Sequence, residues 1–140
     1  MTKPPTWFYV VAVIIILWEC IGCYAYVSQV SMSATDMAQL PIAQQEIWKM
    51  VPAWVTSAYA LAVWVGLAGG IALLLRLKIS RSLFIVSLIA VVVQFGWIFA
   101  ATPILTTVGP TAAVFPAFIV AVAAMAVWFS AKAAGHGWLR

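Results

Sequence analysis

Charge is what this chain has least of. Of its 140 residues only 7% are Asp, Glu, Lys or Arg, while 66% are apolar. An ordinary soluble domain is about one-quarter charged, so too few polar side chains are present to clothe a water-facing surface. That shortage excludes a soluble globular enzyme, a disordered tail and a nucleic-acid binder, despite a formal net charge of +4. Acids are rarer than bases: Glu19, Asp36 and Glu46 are all there are. Histidine occurs once, at His136, and cysteine twice, at Cys20 and Cys23. A structural zinc site takes about four ligands, and Cys20-x-x-Cys23 has neither a second pair nor a histidine in any apolar run. Two small packing side chains is the simpler reading of that pair. No His or Lys is arranged with Asp36 or Glu46 as a hydrolase would need. No cofactor, metal or enzyme activity is expected. Alternating apolar and polar segments are also missing, which excludes a membrane β-barrel.

What the chain has is long apolar runs, and a mean hydropathy of +1.13. A helix crossing the hydrocarbon core needs about 20 mainly apolar residues. Four runs qualify, at about 7–30, 53–75, 82–102 and 111–130. The expectation is an all-α membrane protein: one domain over 1–140, a four-helix bundle with an amphipathic outer loop at 31–52. The first run is too long for the about 7–15 apolar residues of a signal peptide and is interrupted by Glu19, so it reads as an anchored span.

Basic residues fix the expected orientation, because short loops rich in Lys and Arg stay cytoplasmic. Lys3, Arg76, Lys78, Arg81, Lys132 and Arg140 fall on one side, and Lys49 alone falls on the other. Both termini are therefore expected in the cytoplasm, with the loop 31–52 and the turn near Pro103–Pro110 outside. In the loop, Ser33 can cap a turn from Ala34, and Pro41 can open a second helix toward Met50 that Pro52 ends. The apolar side of these pieces suggests a helix capping the bundle or lying on the outer leaflet. Trp7, Trp48, Trp54, Trp128 and Trp138 fall near expected interfaces and read as belt anchors, with His136 in a mobile tail. Pro116, about a turn inside the fourth span, is a candidate kink.

One ionisable residue lies inside a span. Counting from Trp7, Glu19 is roughly 18 Å along the helix, near the bilayer midplane. An ionised carboxylate facing lipid there would cost several kcal/mol, so Glu19 is expected to face the bundle, as a functional group or as a hydrogen-bonding one. Gly22, Cys23 and Tyr26 share its face by helical spacing. On the third span Gln94 lies at the same depth with Ser87 below it, and a Glu19–Gln94 contact is the sharpest expectation. Trp64 marks that depth on the second span. These five, Glu19, Tyr26, Ser87, Gln94 and Trp64, are the candidate substrate or proton site. Gly66 and Gly70 form GxxxG, which with Gly22 offers close helix packing inside the bundle or at a homodimer seam.

The run LWECIGCYAYVSQVSMS at 17–33, PAW at 52–54, LLLRLK at 73–78, SLIAVVVQFGW at 87–97 and GWLR at 137–140 resemble a group of small uncharacterised bacterial four-helix inner-membrane proteins, often loosely labelled sugar transporters. The resemblance covers nearly the whole chain and implies a bacterial inner-membrane protein. The group commonly has Asn where this chain has Glu19, which implies a polar rather than an obligatorily ionisable residue there. A narrower likeness, Glu19-Cys20-Ile21-Gly22, is to the small multidrug-resistance exporters, and implies proton-coupled export of cationic drugs. Two functions follow as expectations: binding or transport of a small molecule, sugar-like or cationic, at a polar midplane site, and an accessory role in which the glycine face packs on a larger membrane complex.

Overall fold

The structure is a computed structural model that describes residues 3–107 and 109–140. The chain is an all-α bundle and a multi-pass membrane protein, with no strand among the described residues. Four long helices carry it: α1 (Thr6–Val30), α4 (Ala53–Leu74), α5 (Ile79–Ala101) and α7 (Val114–Gly135). Between α1 and α4 lie two short helices, α2 (Ala34–Ala38) and α3 (Ile42–Met50). A single turn, α6 (Ile104–Thr107), and a 3-10 turn over Pro110–Ala113 join α5 to α7. The start of α1, the C-terminal residues and the α4–α5 turn share one end of the bundle, the terminal end. The opposite, loop end carries α2, α3 and α6.

Local chemistry explains most of these boundaries. Ser33 Oγ accepts from the Asp36 N–H at 3.1 Å while the Ser33 N–H donates to Asp36 Oδ2 at 3.4 Å, a reciprocal cap that starts α2. Pro41 stands at the N-cap of α3, and Pro52 at that of α4. Helix α5 starts at Ile79, three residues before the expected Ser82, because the preceding turn closes at once. Helix α7 runs on to Gly135, five residues past Ser130, since the Ala-rich stretch propagates helix and Lys132 suits its negative end. Pro116 is the third residue of α7 and lies in its first turn, where no helical donor is lost.

In a bilayer apolar burial does not drive helices together, so close packing of small residues carries the association. Helix α4 lies against both α1 and α5, and α5 in turn packs on α7. The glycine strip of α4 is spent entirely inside the bundle. A Cβ built on Gly70 would lie 2.9 Å from Ile16 Cγ1, one on Gly69 would lie 3.0 Å from the Phe84 ring, and one on Gly66 would meet Glu19. Gly22 of α1 answers from the other side, its built Cβ 3.1 Å from Val63 Cγ1.

The terminal half is solid. Phe8, Ile15, Leu73, Phe84 and Phe129 form one core cluster, joined by Trp138 and Leu139 from beyond α7. Trp138 is therefore a core residue, not an interfacial anchor in a tail, and His136 stacks on it with centroids 4.7 Å apart. Gly137, at φ 74°, turns the chain back over the bundle. Trp54 and Trp128 are exposed, as belt residues would be, and Trp7 is half exposed against Phe129.

Candidate functional site

The loop half is hollow. A cavity of about 490 Å³ runs from the level of Glu19 toward the loop end, walled by α1, α4, α5 and α7 and roofed in part by α3. Its walls are largely apolar and aromatic, with Trp18, Trp48, Phe95, Phe99 and Phe115 among them. Its polar groups are few: Glu19, Ser87 and Gln94 deep in the bundle, and Gln29, Gln44, Thr56 and Tyr59 nearer the loops. No Lys, Arg or His lines it among the described residues. The roof exists because α3 buries Ile47 and sets the half-buried Trp48 in the cavity wall.

Glu19 is held by a glycine. A Cβ on Gly66 would lie 2.5 Å from Glu19 Oε2, 2.7 Å from Cδ and 2.8 Å from Oε1, so the carboxyl group occupies the space that any other side chain at 66 would claim. Glu19 is 9% exposed and Gln94 7%. Neither the Glu19 carboxyl nor the Gln94 carboxamide has a hydrogen-bond partner among the described residues. The side-chain polar atom that is sealed off without a partner among the described residues is Ser80 Oγ, so the polar atoms of Glu19 and Gln94 keep some accessible surface. Both line the cavity. The two residues expected to touch thus share one chamber without bonding to each other.

The other candidates divide. Ser87 lines the chamber, but its hydroxyl is committed, donating to the Ala62 carbonyl across the α4–α5 seam at 2.6 Å. Tyr26 is not in the lining; it meets Tyr59 edge-on with centroids 5.3 Å apart. The expected polar column above Glu19 is instead the α1–α4 seam, where Gly22 meets Val63 and Cys23 Sγ donates to the Val63 carbonyl at 3.5 Å. Cys20 is exposed while Cys23 is buried, so the two thiols look in different directions. Trp64 lies outside the lining and is exposed. The register of α4 turns Val63 and Gly66 inward, which leaves position 64 on the outer face.

Sequence reasoning passed over Trp18, Gln44 and Gly66 as parts of this site, while Tyr59, about a turn from the Glu19 depth on the second span, was legible as an aromatic wall. Trp18 adjoins Glu19 in the chain, and Gly66 was legible only as a packing residue. Of the two arrangements expected for the loop helix, the structure has the cap on the bundle; that Gln44, Ile47 and Trp48 of α3 line a chamber was not legible. Comparison with protein-family models, curated proteins and solved structures gave no match.

Proposed function

We propose that this protein binds a small organic cation, such as a protonated amine on an apolar body, inside the membrane as a step in its transport. One observation carries the reading: Glu19 and Gln94, little exposed and with no hydrogen-bond partner among the described residues, line the same deep chamber. The lining selects the ligand class. A single carboxyl with no basic side chain near it favours a positive charge, and aromatic walls hold a cation with about 0.5–2 kcal/mol per well-placed ring. A sugar would leave many hydroxyls against apolar walls, each at a desolvation cost. The accessory reading loses its supporting feature, since the glycine strip packs on Glu19, Ile16 and Phe84 within this chain. We place the terminal end in the cytoplasm of a bacterial inner membrane, from the cations gathered there. In that orientation the chamber opens away from the cytoplasm and the aromatic core closes the cytoplasmic side.

The test is equilibrium binding to purified protein in lipid nanodiscs, with phenethylamine and its neutral isostere phenethyl alcohol. Saturable binding of the amine, weak binding of the alcohol and loss of amine binding in Glu19→Gln are expected. Equal binding of both compounds, or full amine binding by Glu19→Gln, would overturn the reading.

A further inference from the structure

The chamber has a discontinuous wall. Helices α1 and α7 share no extended backbone contact, unlike the other neighbouring pairs of the bundle, and are joined by rings. Near the terminal end Phe8 stacks on Phe129 with centroids 5.8 Å apart, and Trp7 meets the same ring edge-on at 6.0 Å. At the level of Glu19, Trp18 meets Phe118 at 5.5 Å and Phe115 at 6.4 Å. Helix α7 begins at Val114, so Trp18 meets it within its first two turns. Beyond Trp18, α1 continues to Val30, roughly 18 Å of helix that runs past the start of α7. Along that edge Ile21 and Phe115 line the cavity and yet are 63% and 62% exposed. The same side chains face both the chamber and the outside of the bundle.

The surroundings of this edge are apolar. Ile14, Leu17 and Phe118 are exposed beside it, and a span of this kind meets lipid there. The route along the bundle axis is roofed in part by α3.

From this geometry we propose that the gap between α1 and α7 is a lateral portal, through which an amphiphile already dissolved in the bilayer slides its basic head to Glu19, with Trp18, Phe115 and Phe118 as the sill. The ligand class narrows accordingly to a long-chain or aryl amine, whose apolar part stays against the aromatic walls or in the lipid. The inference rests on Glu19 and Gln94 forming a solute site, and adds the direction of entry and the ligand's lipid solubility.

The experiment uses the full chain with Cys20→Ser and Cys23→Ser, carrying Trp18→Cys and Phe118→Cys, in lipid nanodiscs with radiolabelled dodecylamine. A short bis-maleimide tethers α1 to α7 before or after the amine is added. Tethering first should abolish uptake; tethering afterwards should trap the bound amine so that it survives dilution. In a separate protein, Trp18→Ala should speed both uptake and release. Uptake by the tethered protein as fast as by the untethered one would overturn the portal, as would expulsion of bound amine by the tether or unchanged rates in Trp18→Ala. If untethered protein takes up no dodecylamine in a Glu19-dependent way, the solute site itself fails, and the portal with it. A portal failure with Glu19-dependent binding intact leaves the site standing.

Discussion

At the scale of single residues, Glu19 and Gly66 form a lock and its seat. The carboxyl group lies over the glycine, and Gly66→Ala would put a methyl 2.5 Å from Oε2. The carboxyl atoms are the far end of a flexible side chain that lines the chamber, so Glu19 can swing them into the cavity at little cost to the fold. Gly66→Ala should therefore weaken amine binding while changing the unfolding temperature in detergent little, and in a Glu19→Ala background it should change neither. Gly96 is the control, since nothing lies within 4 Å of a Cβ there and Gly96→Ala should cost nothing. The presence of a polar group at 19 was legible in the sequence from depth alone. Its seat was not, because GxxxG looks the same whether it faces a leucine, a carboxylate or a second copy of the chain.

At the scale of elements, the terminal end is tied by two helix endings of the same design. Helix α7 closes with Gly137 in the left-handed region, the Trp138 N–H donating to the Ala133 carbonyl and the Gly137 N–H to that of Ala134. Helix α4 closes likewise, with Leu77 donating to Ala72 and Arg76 to Leu73, but here the left-handed residue is Arg76 at φ 62°. An L side chain in that conformation costs about 1–2 kcal/mol. The offset is visible in its bonds: Arg76 Nε donates to the Trp138 carbonyl at 2.8 Å, and its own carbonyl accepts from the Arg140 N–H at 2.7 Å. Lys78 then donates to the Arg140 carbonyl at 2.9 Å, so the last residues form a strap across the α4–α5 turn. Gly137→Ala should therefore cost about 1 kcal/mol and loosen the strap, seen as faster trypsin cleavage after Arg76 and Lys78 in the purified protein. A cleavage rate equal to that of the parent would show that the strap does not protect the turn.

At the scale of the whole molecule, one half is filled with rings and the other is hollow, and the start of α1 and the C-terminal residues lie on the filled side. If the basic residues orient the protein as proposed, the hollow half faces away from the cytoplasm. In a background with Cys20→Ser and Cys23→Ser, a cysteine at Ser33 should be labelled by a membrane-impermeant maleimide on intact cells. One at His136 should be labelled only after the membrane is opened. The reverse pattern would turn the chamber toward the cytoplasm and recast the portal as one in the inner leaflet.

The sequence by itself determined the number of spans, their approximate limits, the capped loop helices and the depth of Glu19 and Gln94. Those follow from hydropathy, capping and a fixed rise per residue, which are local properties. Tertiary structure alone decided which faces meet. It sent Trp64 outward and Trp138 inward, set Tyr26 in the α1–α4 seam, and drew Trp48 into the chamber. The physical reason is that these helices are apolar on every side, so no amphipathic stripe marks an inner face. The facing is fixed by where glycine and alanine let backbones approach, and by where a late start to α7 leaves α1 uncovered.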